Sequence, residues 1–322
     1  MNCGAGSVEG AEADAQRTDI RDAFAPLGLD PRVALVVGSA LASAITGSVE
    51  RGAEVVAVAG GDGSLGTAAD ALSGTEAVLG VLPLGTFNHL AKDLGIPIDL
   101  ADAARVVVEG STVTIDLAVV NERVFVNNSS IGLYPVMVDL RDEIRTERGW
   151  GKVRSVPLAS WHVLRRLPAR RLRIRAGEKR WHLRSPFVFV GNNMYEVGPK
   201  GIGSRTRIAD GELCCYVATT ETRLGLLRLA LGAATRGAAS TPTLESARSG
   251  EVTIDAHGHR VLVAIDGEIA TLRSPLCYRT RAGALQVRVP VGVEPPEGPP
   301  EGPPAESGIE HDGVDAPGDA DR

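Results

Sequence analysis

A glycine-rich turn that directly follows a short apolar run is the pattern in this sequence with the clearest chemistry. The run is Val55–Ala59, and a helical pattern starts at Leu65, so the turn comprises Gly60, Gly61, Asp62, Gly63 and Ser64. Glycines allow a backbone to approach a phosphate closely, and the N-terminus of the following helix offers N–H groups to an anion. The Asp62 carboxylate would repel a bare pyrophosphate, but it becomes favourable once a divalent cation lies between them. The turn therefore predicts a site for a nucleoside triphosphate with Mg²⁺.

The same glycines leave one alternative ligand open. Gly61, Gly63 and Gly66 satisfy the dinucleotide fingerprint GxGxxG, in which the turn holds a pyrophosphate without a metal. Asp62 counts against this alternative for the reason just given. No GxxxxGK[ST] motif follows a strand, and Asp62 stands where GxSxG would need its first glycine. The metal–triphosphate ligand is therefore favoured.

A second candidate loop follows the next apolar run, Ala77–Leu82, and precedes a short helical pattern. In it, Gly85 and Thr86 can supply backbone and hydroxyl donors, and Asn88 can cap the helix. An ordinary strand–turn–helix connection would look the same. If the two runs are neighbouring strands of one parallel sheet, we expect the two loops to form opposite sides of one crevice.

Two Asp-Gly pairs in the second half of the chain are further candidates. Asp266 follows the predicted strand Arg260–Ile265, and Gly267 beside it leaves room for a substrate, with Glu268 one residue further on. Asp210 precedes the predicted strand Glu212–Ala218. Asp266 could serve as a general base, although plain Asp-Gly turns between strands are common.

The pattern of elements predicts two domains and a tail. In residues 1–113, helical and apolar β patterns alternate, as in an α/β domain whose parallel sheet is covered on both faces. Residues 114–291 are mainly short β runs, interrupted by helical stretches at Val156–Leu167 and Leu224–Arg236, which favours a β-sandwich. Residues 292–322, rich in Pro and Gly with nine acids against one base, are predicted to be disordered. In the first domain we predict helices at Val8–Phe24, Ala40–Arg51, Leu65–Leu72 and Asn88–Leu94, and strands at Val33–Val37, Val55–Ala59 and Ala77–Leu82.

Composition and charge narrow the class of protein. No run of 18 apolar residues or secretory signal is present, so we expect a cytoplasmic protein without a membrane span. The four cysteines lack CxxC spacing, which predicts reduced, buried thiols. The net charge of −6 combines a tail of −8 and a first 30 residues of −4 with a basic body of +6.

Six motifs, in this order, resemble the diacylglycerol kinase catalytic family, which includes bacterial lipid kinases and sphingosine kinases. The turn at Gly60–Ser64 resembles the family's GGDGT, and PLGTFNHLAKDLGIP at 83–97 resembles PLGTxNDxAxxLGIP. The other four motifs lie at Asn127–Tyr134, Gly191–Asn193, Ala209–Gly211 and Ile265–Glu268. The resemblance extends from about Asn2 to Pro290.

The resemblance implies a phosphofructokinase-like N-terminal domain, a mainly antiparallel β-sandwich C-terminal domain, and ATP bound between them. The implied reaction is phosphoryl transfer to the hydroxyl of diacylglycerol or a related lipid alcohol. Asp266 would be the general base, with Glu268 orienting it or holding a metal-bound water. Asp210 and the carbonyls of Arg207 and Glu212 would bind a structural Mg²⁺, and Asp62 would join the Mg²⁺–phosphate network. The implied nucleotide contacts are Asn2, Gly60, Gly61, Asp62, Gly63, Ser64, Gly85, Thr86 and Asn88.

The sequence departs from the family pattern in two places. His89 replaces the usual aspartate of the second motif, which removes a carboxylate from the metal network. Residues Asn2–Ser7 resemble the family's NPxAGS loop, but the apolar strand expected before it is absent, so the first strand looks truncated. We therefore expect the true start to lie upstream of Met1.

A strongly basic segment predicts a partner beyond the small-molecule substrates. Residues 165–184 hold nine Lys or Arg against Glu178, with Trp161 before them and Trp181 among them. A solvated basic face is one interpretation. Peripheral attachment to an anionic membrane surface is the other, with tryptophans at the interface and arginines on headgroups. No nucleic-acid-binding module accompanies the segment, so we expect no nucleic acid, and a homodimer is compatible with the resemblance.

Three rival functions remain at this point. An NAD kinase or a sugar-phosphate kinase such as a phosphofructokinase could use the same GGDG turn, but the sequence lacks their second motifs. A catalytically weak regulator that binds nucleotide or lipid is the third, and His89 and the truncated strand favour it.

Overall fold

The structure is a computed structural model that describes residues 11–133, 169–198, 201–205, 207–220 and 244–292, together with residues 222 and 225. Asn2, Val156–Leu167, all but one residue of Leu224–Arg236, and nearly all of the predicted tail lie outside the described residues.

The N-terminal part carries all five α-helices of the described residues: α1 (Ala11–Phe24), α2 (Leu41–Glu50), α3 (Asp62–Leu72), α4 (His89–Asp93) and α5 (Leu100–Glu109). The predictions of α1 to α4 are confirmed within a few residues, while α5 was missed. Asp99 caps α5 by accepting hydrogen bonds from Ala101 N and Asp102 N, and its buried face packs on the sheet. Capping aspartates of this kind mark helix starts, so the signal was present in the sequence.

The described residues form sixteen strands. They are β1 (Val55–Gly60), β2 (Val78–Pro83), β3 (Ser111–Val120), β4 (Arg123–Phe125), β5 (Asn128–Gly132), β6 (Arg170–Ala176), β7 (Lys179–Ser185), β8 (Phe187–Asn192), β9 (Tyr195–Gly198), β10 (Gly201–Arg205), β11 (Leu213–Ala218), β12 (Leu244–Ser249), β13 (Glu251–Ala256), β14 (Arg260–Ile265), β15 (Glu268–Arg273) and β16 (Leu276–Val289).

Two sheets organise the molecule. In the first, the path runs β1-β2-β16-β13-β6-β7, with β3 beside β16 and β4 beside β3. Strands β1 and β2 are parallel. Strand β16 begins in the antiparallel part beside β13 and reaches β2 near its end, at Val287↔Leu79. The second sheet, β12-β11-β8-β5-β14-β15, is antiparallel throughout. One long strand, β16, therefore makes the two halves of the chain share a sheet.

Two hydrophobic cores stabilise these layers. One lies between the N-terminal helices and β1, β2, β3 and β16. The other fills the space between the two sheets, where Leu172 and Ile254 of the first sheet pack with Val190 and Val263 of the second. The predicted fold class, an α/β N-terminal domain followed by a mainly antiparallel β-sandwich, is confirmed, with a mixed sheet in place of a purely parallel one.

Two local predictions were wrong. Val33–Val37 is not a strand: Val36 forms only an isolated bridge, and Val37 is 58% exposed. A short apolar run does not by itself distinguish a buried strand from an extended segment.

The prediction of buried thiols is wrong for Cys277, which is exposed because it occupies an outward position of β16. Cys214 and Cys215 are buried as predicted, and burial raises the pKa of the Cys214 thiol to about 11.

Among the described residues, no helix combines the length and the apolar character needed to cross a bilayer.

Candidate active site

The two predicted loops meet at the carboxyl ends of β1 and β2. Gly60 is in register with Pro83, and Leu84 N donates a hydrogen bond to Gly60 O at 3.1 Å. A Cβ atom built on Gly85 would lie 2.5 Å from Gly61 Cα. The backbones of the two loops are therefore in contact, and only glycine fits at the point of closest approach.

Asp62 connects the two loops. Helix α3 begins at Asp62, three residues earlier than predicted, so most of the glycine-rich turn forms the first turn of a helix. The Asp62 Oδ1 atom accepts a hydrogen bond from His89 N at 2.8 Å, at the start of α4. The first turn of a helix has no intrahelical acceptors for its N–H groups, so the predicted anion would find N–H donors at this turn.

Asn88 does not cap α4 as predicted. Its Oδ1 atom accepts from Gly85 N at 3.0 Å, and its Nδ2 atom donates to Gly85 O at 2.9 Å. The residue has a left-handed φ of 50° and is buried, because it closes the tight turn on itself. Asn88 therefore shapes the second loop, while Thr86 is exposed.

The carboxylates of Asp266 and Glu268 face the same helix. A Cβ atom on Gly63 would lie 2.5 Å from Glu268 Oε1, and one on Gly66 would lie 3.7 Å from Asp266 Oδ2. The structure therefore brings both predicted catalytic residues next to the predicted nucleotide loop. Glycine at position 63 leaves the space that the Glu268 side chain occupies.

Three backbone N–H groups donate to the Asp266 carboxylate. Oδ2 accepts from Val126 N at 2.7 Å, and Oδ1 accepts from Asn127 N at 2.8 Å and Asn128 N at 3.0 Å. Burial raises the pKa of Asp266 above its ordinary value, although these donors and the charge of Arg205 act in the opposite direction. Asp266 itself has φ of 46°, a left-handed conformation that aims its carboxylate back at the β4–β5 connection.

Glu268 has a different environment. Glu268 is exposed at the start of β15, and its carboxylate points at the first turn of α3. Of the two acids, Glu268 is thus the more accessible to a bound molecule.

Sequence reasoning missed Arg205, which lies at the end of β10. Its side chain is fully buried, and Nε donates to Asp93 Oδ2 of α4 at 2.8 Å. Nη1 donates to Val126 O at 2.6 Å, and Nη2 donates to Asn127 Oδ1 at 3.0 Å. Arg205 therefore joins helix α4 to the connection that holds Asp266. An arginine among short β runs gave no signal of this role in the sequence.

The Asp210–Gly211 turn is held by buried polar groups. Asp116, also missed, accepts from Gly211 N at 2.6 Å and from Gly283 N at 2.8 Å, and Asn193 Oδ1 accepts from Asp210 N at 2.9 Å. The Asp210 carboxylate is paired with Arg207 Nη1 at 3.3 Å.

The predicted metal ligands at this turn stay a prediction. The Glu212 carbonyl already accepts from Asn193 N, and the described residues contain no group of three or more His, Cys, Asp or Glu side chains that could hold a metal ion. The predicted ligand set is one carboxylate, Asp210, and two backbone carbonyls, so it does not require a cluster of acidic side chains. The exposed Arg207 guanidinium contacts this carboxylate through Oδ1.

We expect Arg205→Met to destabilise the protein by about 3–5 kcal/mol, because it leaves Asp93 buried without its charge partner. The side chains of Arg205 and Asp93 are 0% and 8% exposed. Asp93→Leu should be similarly destabilising, and the double variant should recover a large part of the loss. Urea unfolding of the four proteins measures this coupling, and strictly additive losses would contradict the bridge.

Part of the chain matches a known family. Residues 4–120 match the model of the diacylglycerol kinase catalytic domain. A protein named probable lipid kinase YegS-like from Cronobacter sakazakii is 29% identical over 76% of this chain and 81% of its own length. A diacylglycerol kinase from Mycobacterium tuberculosis is 30% identical over 58% of this chain and 61% of its own length.

A solved structure shares the fold. A crystal structure from Bacillus anthracis, described as a diacylglycerol kinase, superposes with a TM-score of 0.62 at 16% identity, over 90% of this chain and 94% of the other. The predicted resemblance to the diacylglycerol kinase catalytic family is thus confirmed by the match of residues 4–120 and by the shared fold.

Proposed function

We propose that this chain transfers the γ-phosphoryl group of ATP to the hydroxyl of a lipid alcohol, with diacylglycerol as the first candidate. The observation that carries the proposal is the approach of two carboxylates, Asp266 and Glu268, to the glycine-rich first turn of α3. Phosphoryl transfer needs an anion cradle and a proton acceptor within reach of each other. The names of the two relatives support a lipid as the acceptor.

The nucleotide enters as its Mg²⁺ complex, which is a substrate. Its phosphates would lie against the N–H groups of the first turn of α3, with Gly61 and Gly85 allowing close backbone approach. Asp62 Oδ1 accepts from His89 N, and its second oxygen would be a ligand for the metal of the substrate. The backbone N–H of residue 89 makes this contact, so histidine in place of the family's aspartate preserves it.

Asp266 and Glu268 have different roles in the proposed reaction. Asp266, held by three N–H donors, fixes the β14–β15 turn and with it the position of Glu268. Glu268, exposed and facing α3, is the better placed of the two to take the proton of the acceptor hydroxyl. The sequence-based assignment of Asp266 as the base stays a prediction, and the two assignments differ in a measurable way.

The proposed reaction is tested with ATP labelled in its γ-phosphate and a panel of diacylglycerol, monoacylglycerol and a sphingoid base. We expect label in a lipid product, dependent on Mg²⁺. Hydrolysis of ATP without any labelled lipid, or no binding of ATP, would contradict a lipid kinase and favour a regulator.

Replacing Glu268 with Gln should lower kcat by about 10²–10⁴-fold, as expected for loss of a general base. The melting temperature should stay close to the parent's because Glu268 is exposed. The matched control is Glu122→Gln, because Glu122 is also exposed and is distant from Glu268 in the sequence.

Asp266→Asn should behave differently. An amide has one acceptor oxygen for three N–H donors, so we expect about 1–3 kcal/mol of lost stability alongside lower activity. Full activity in Glu268→Gln, with an inactive but normally stable Asp266→Asn, would instead make Asp266 the base.

A further inference from the structure

The hairpin of β6 and β7 carries its basic residues on one side. The strands alternate, so Leu172, Ile174, Ala176 and Trp181 are buried in the core between the sheets. The opposite side is exposed and consists of Arg171, Arg173, Arg175, Arg180, His182 and Arg184, which we name the cationic face.

Basic residues of the cationic face lie directly opposite each other across the two strands. The register pairs Arg171 with Arg184, Arg173 with His182 and Arg175 with Arg180. Successive pairs are about 7 Å apart along the strands, and partners about 5 Å apart across them. Like charges in such positions destabilise a hairpin. Within the described residues, Arg171, Arg173, Arg175 and Arg180 form no ion pair, so an external anion would relieve the repulsion.

A groove extends the cationic face. It has a volume of about 900 Å³, and its described lining includes Arg171, Arg173, His182 and Arg184. The turn after β13 adds His257 and His259, and Asp255 is the one acid among these lining residues. The groove can therefore accept several negatively charged oxygens at once.

The hairpin presents this face rigidly. Trp181 Nε1 donates to Glu245 Oε2 at 2.7 Å, and Lys179 Nζ donates to Ser246 O at 2.7 Å, which ties β7 to β12. The expectation that Trp181 contacts a membrane interface is therefore wrong, because its ring is packed inside the sandwich. Trp161, Arg165 and Arg166 lie outside the described residues.

The chemistry of the face favours lipid phosphates over nucleic acid. Guanidinium groups bind phosphate oxygens in pairs, and several fixed arginines suit a plane of headgroups. Proteins that bind single strands add exposed aromatic rings on which bases stack. The cationic face has no Phe, Tyr or Trp, and the one tryptophan of the hairpin points inward.

We propose that the cationic face docks the protein onto an anionic membrane by binding the phosphate groups of its lipids. The inference rests on the proposed function, because an enzyme that acts on a lipid must reach a bilayer. It adds the surface and the charge of the membrane, which the reaction alone does not specify. Strand β14 lies between His259, which lines the groove, and Asp266 of the candidate site. One strand therefore connects the groove beside the cationic face to the candidate site.

The test is sedimentation with vesicles of phosphatidylglycerol and phosphatidylcholine, or of phosphatidylcholine alone, without nucleotide. We expect binding to the anionic vesicles alone, weakened by salt. The triple variant Arg173→Gln, Arg175→Gln, Arg180→Gln should bind about 100-fold more weakly, at about fivefold for each arginine near the surface. The control, with equal loss of charge, is Arg32→Gln, Arg51→Gln, Arg105→Gln, which should bind like the parent.

Activity on a water-soluble short-chain diacylglycerol separates this inference from the proposed function. The hairpin variant should retain that activity and lose activity on vesicles, because its active site is unchanged. Equal vesicle binding by the hairpin variant and the control would overturn the docking face, whatever the enzyme's activity. Binding of single-stranded RNA by the parent at salt concentrations that release the vesicles would also overturn it.

Discussion

Three backbone N–H groups that converge on the Asp266 carboxylate form the interaction on which the candidate site depends. The donors belong to the connection between β4 in one sheet and β5 in the other, and the acceptor ends β14. The Asp266 carboxylate can keep these three hydrogen bonds only if the β4–β5 connection holds its position. Arg205 fixes it by binding Val126 O and Asn127 Oδ1, and Asn192 Nδ2 contributes a further bond to Val126 O at 2.9 Å.

This polar cluster also sets the position of the nucleotide loop. Arg205 binds Asp93 at the end of α4, and the start of α4 donates to Asp62 at the start of α3. A continuous series of hydrogen bonds thus runs from the β-sandwich to the glycine-rich turn. The Arg205 bonds are buried and costly to leave without a partner, whereas the bond between His89 and Asp62 is exposed, so the Arg205 end holds the two halves of the site most firmly. Strand β16 also connects the two halves of the molecule, because it pairs with β2 and with β13.

The sequence predicted well what depends on local pattern. Periodicity and turn residues predicted the order of helices, the parallel pair β1 and β2, and the sandwich. The glycine-rich turn was found because the residues that define it are consecutive. Arg205, Asp93 and Asp116 were missed, since the partners of their side chains lie from 78 to 167 positions away and no spacing reveals them. Asn88 and Trp181 were identified as notable, but their side chains turn inward to satisfy buried groups, which a one-dimensional pattern cannot distinguish from exposure.

The central claim is that a nucleotide with Mg²⁺ binds between the first turn of α3 and the turn that carries Asp266 and Glu268. Hydrogen–deuterium exchange with a non-hydrolysable ATP analogue tests it most directly, because backbone N–H groups are the proposed ligands. The account predicts slower exchange in peptides that contain Gly60–Leu65 and Gly85–His89 when the analogue and Mg²⁺ are both present, and a smaller effect without the metal. Unchanged exchange in both peptides, or protection of equal size when magnesium is removed, would contradict it.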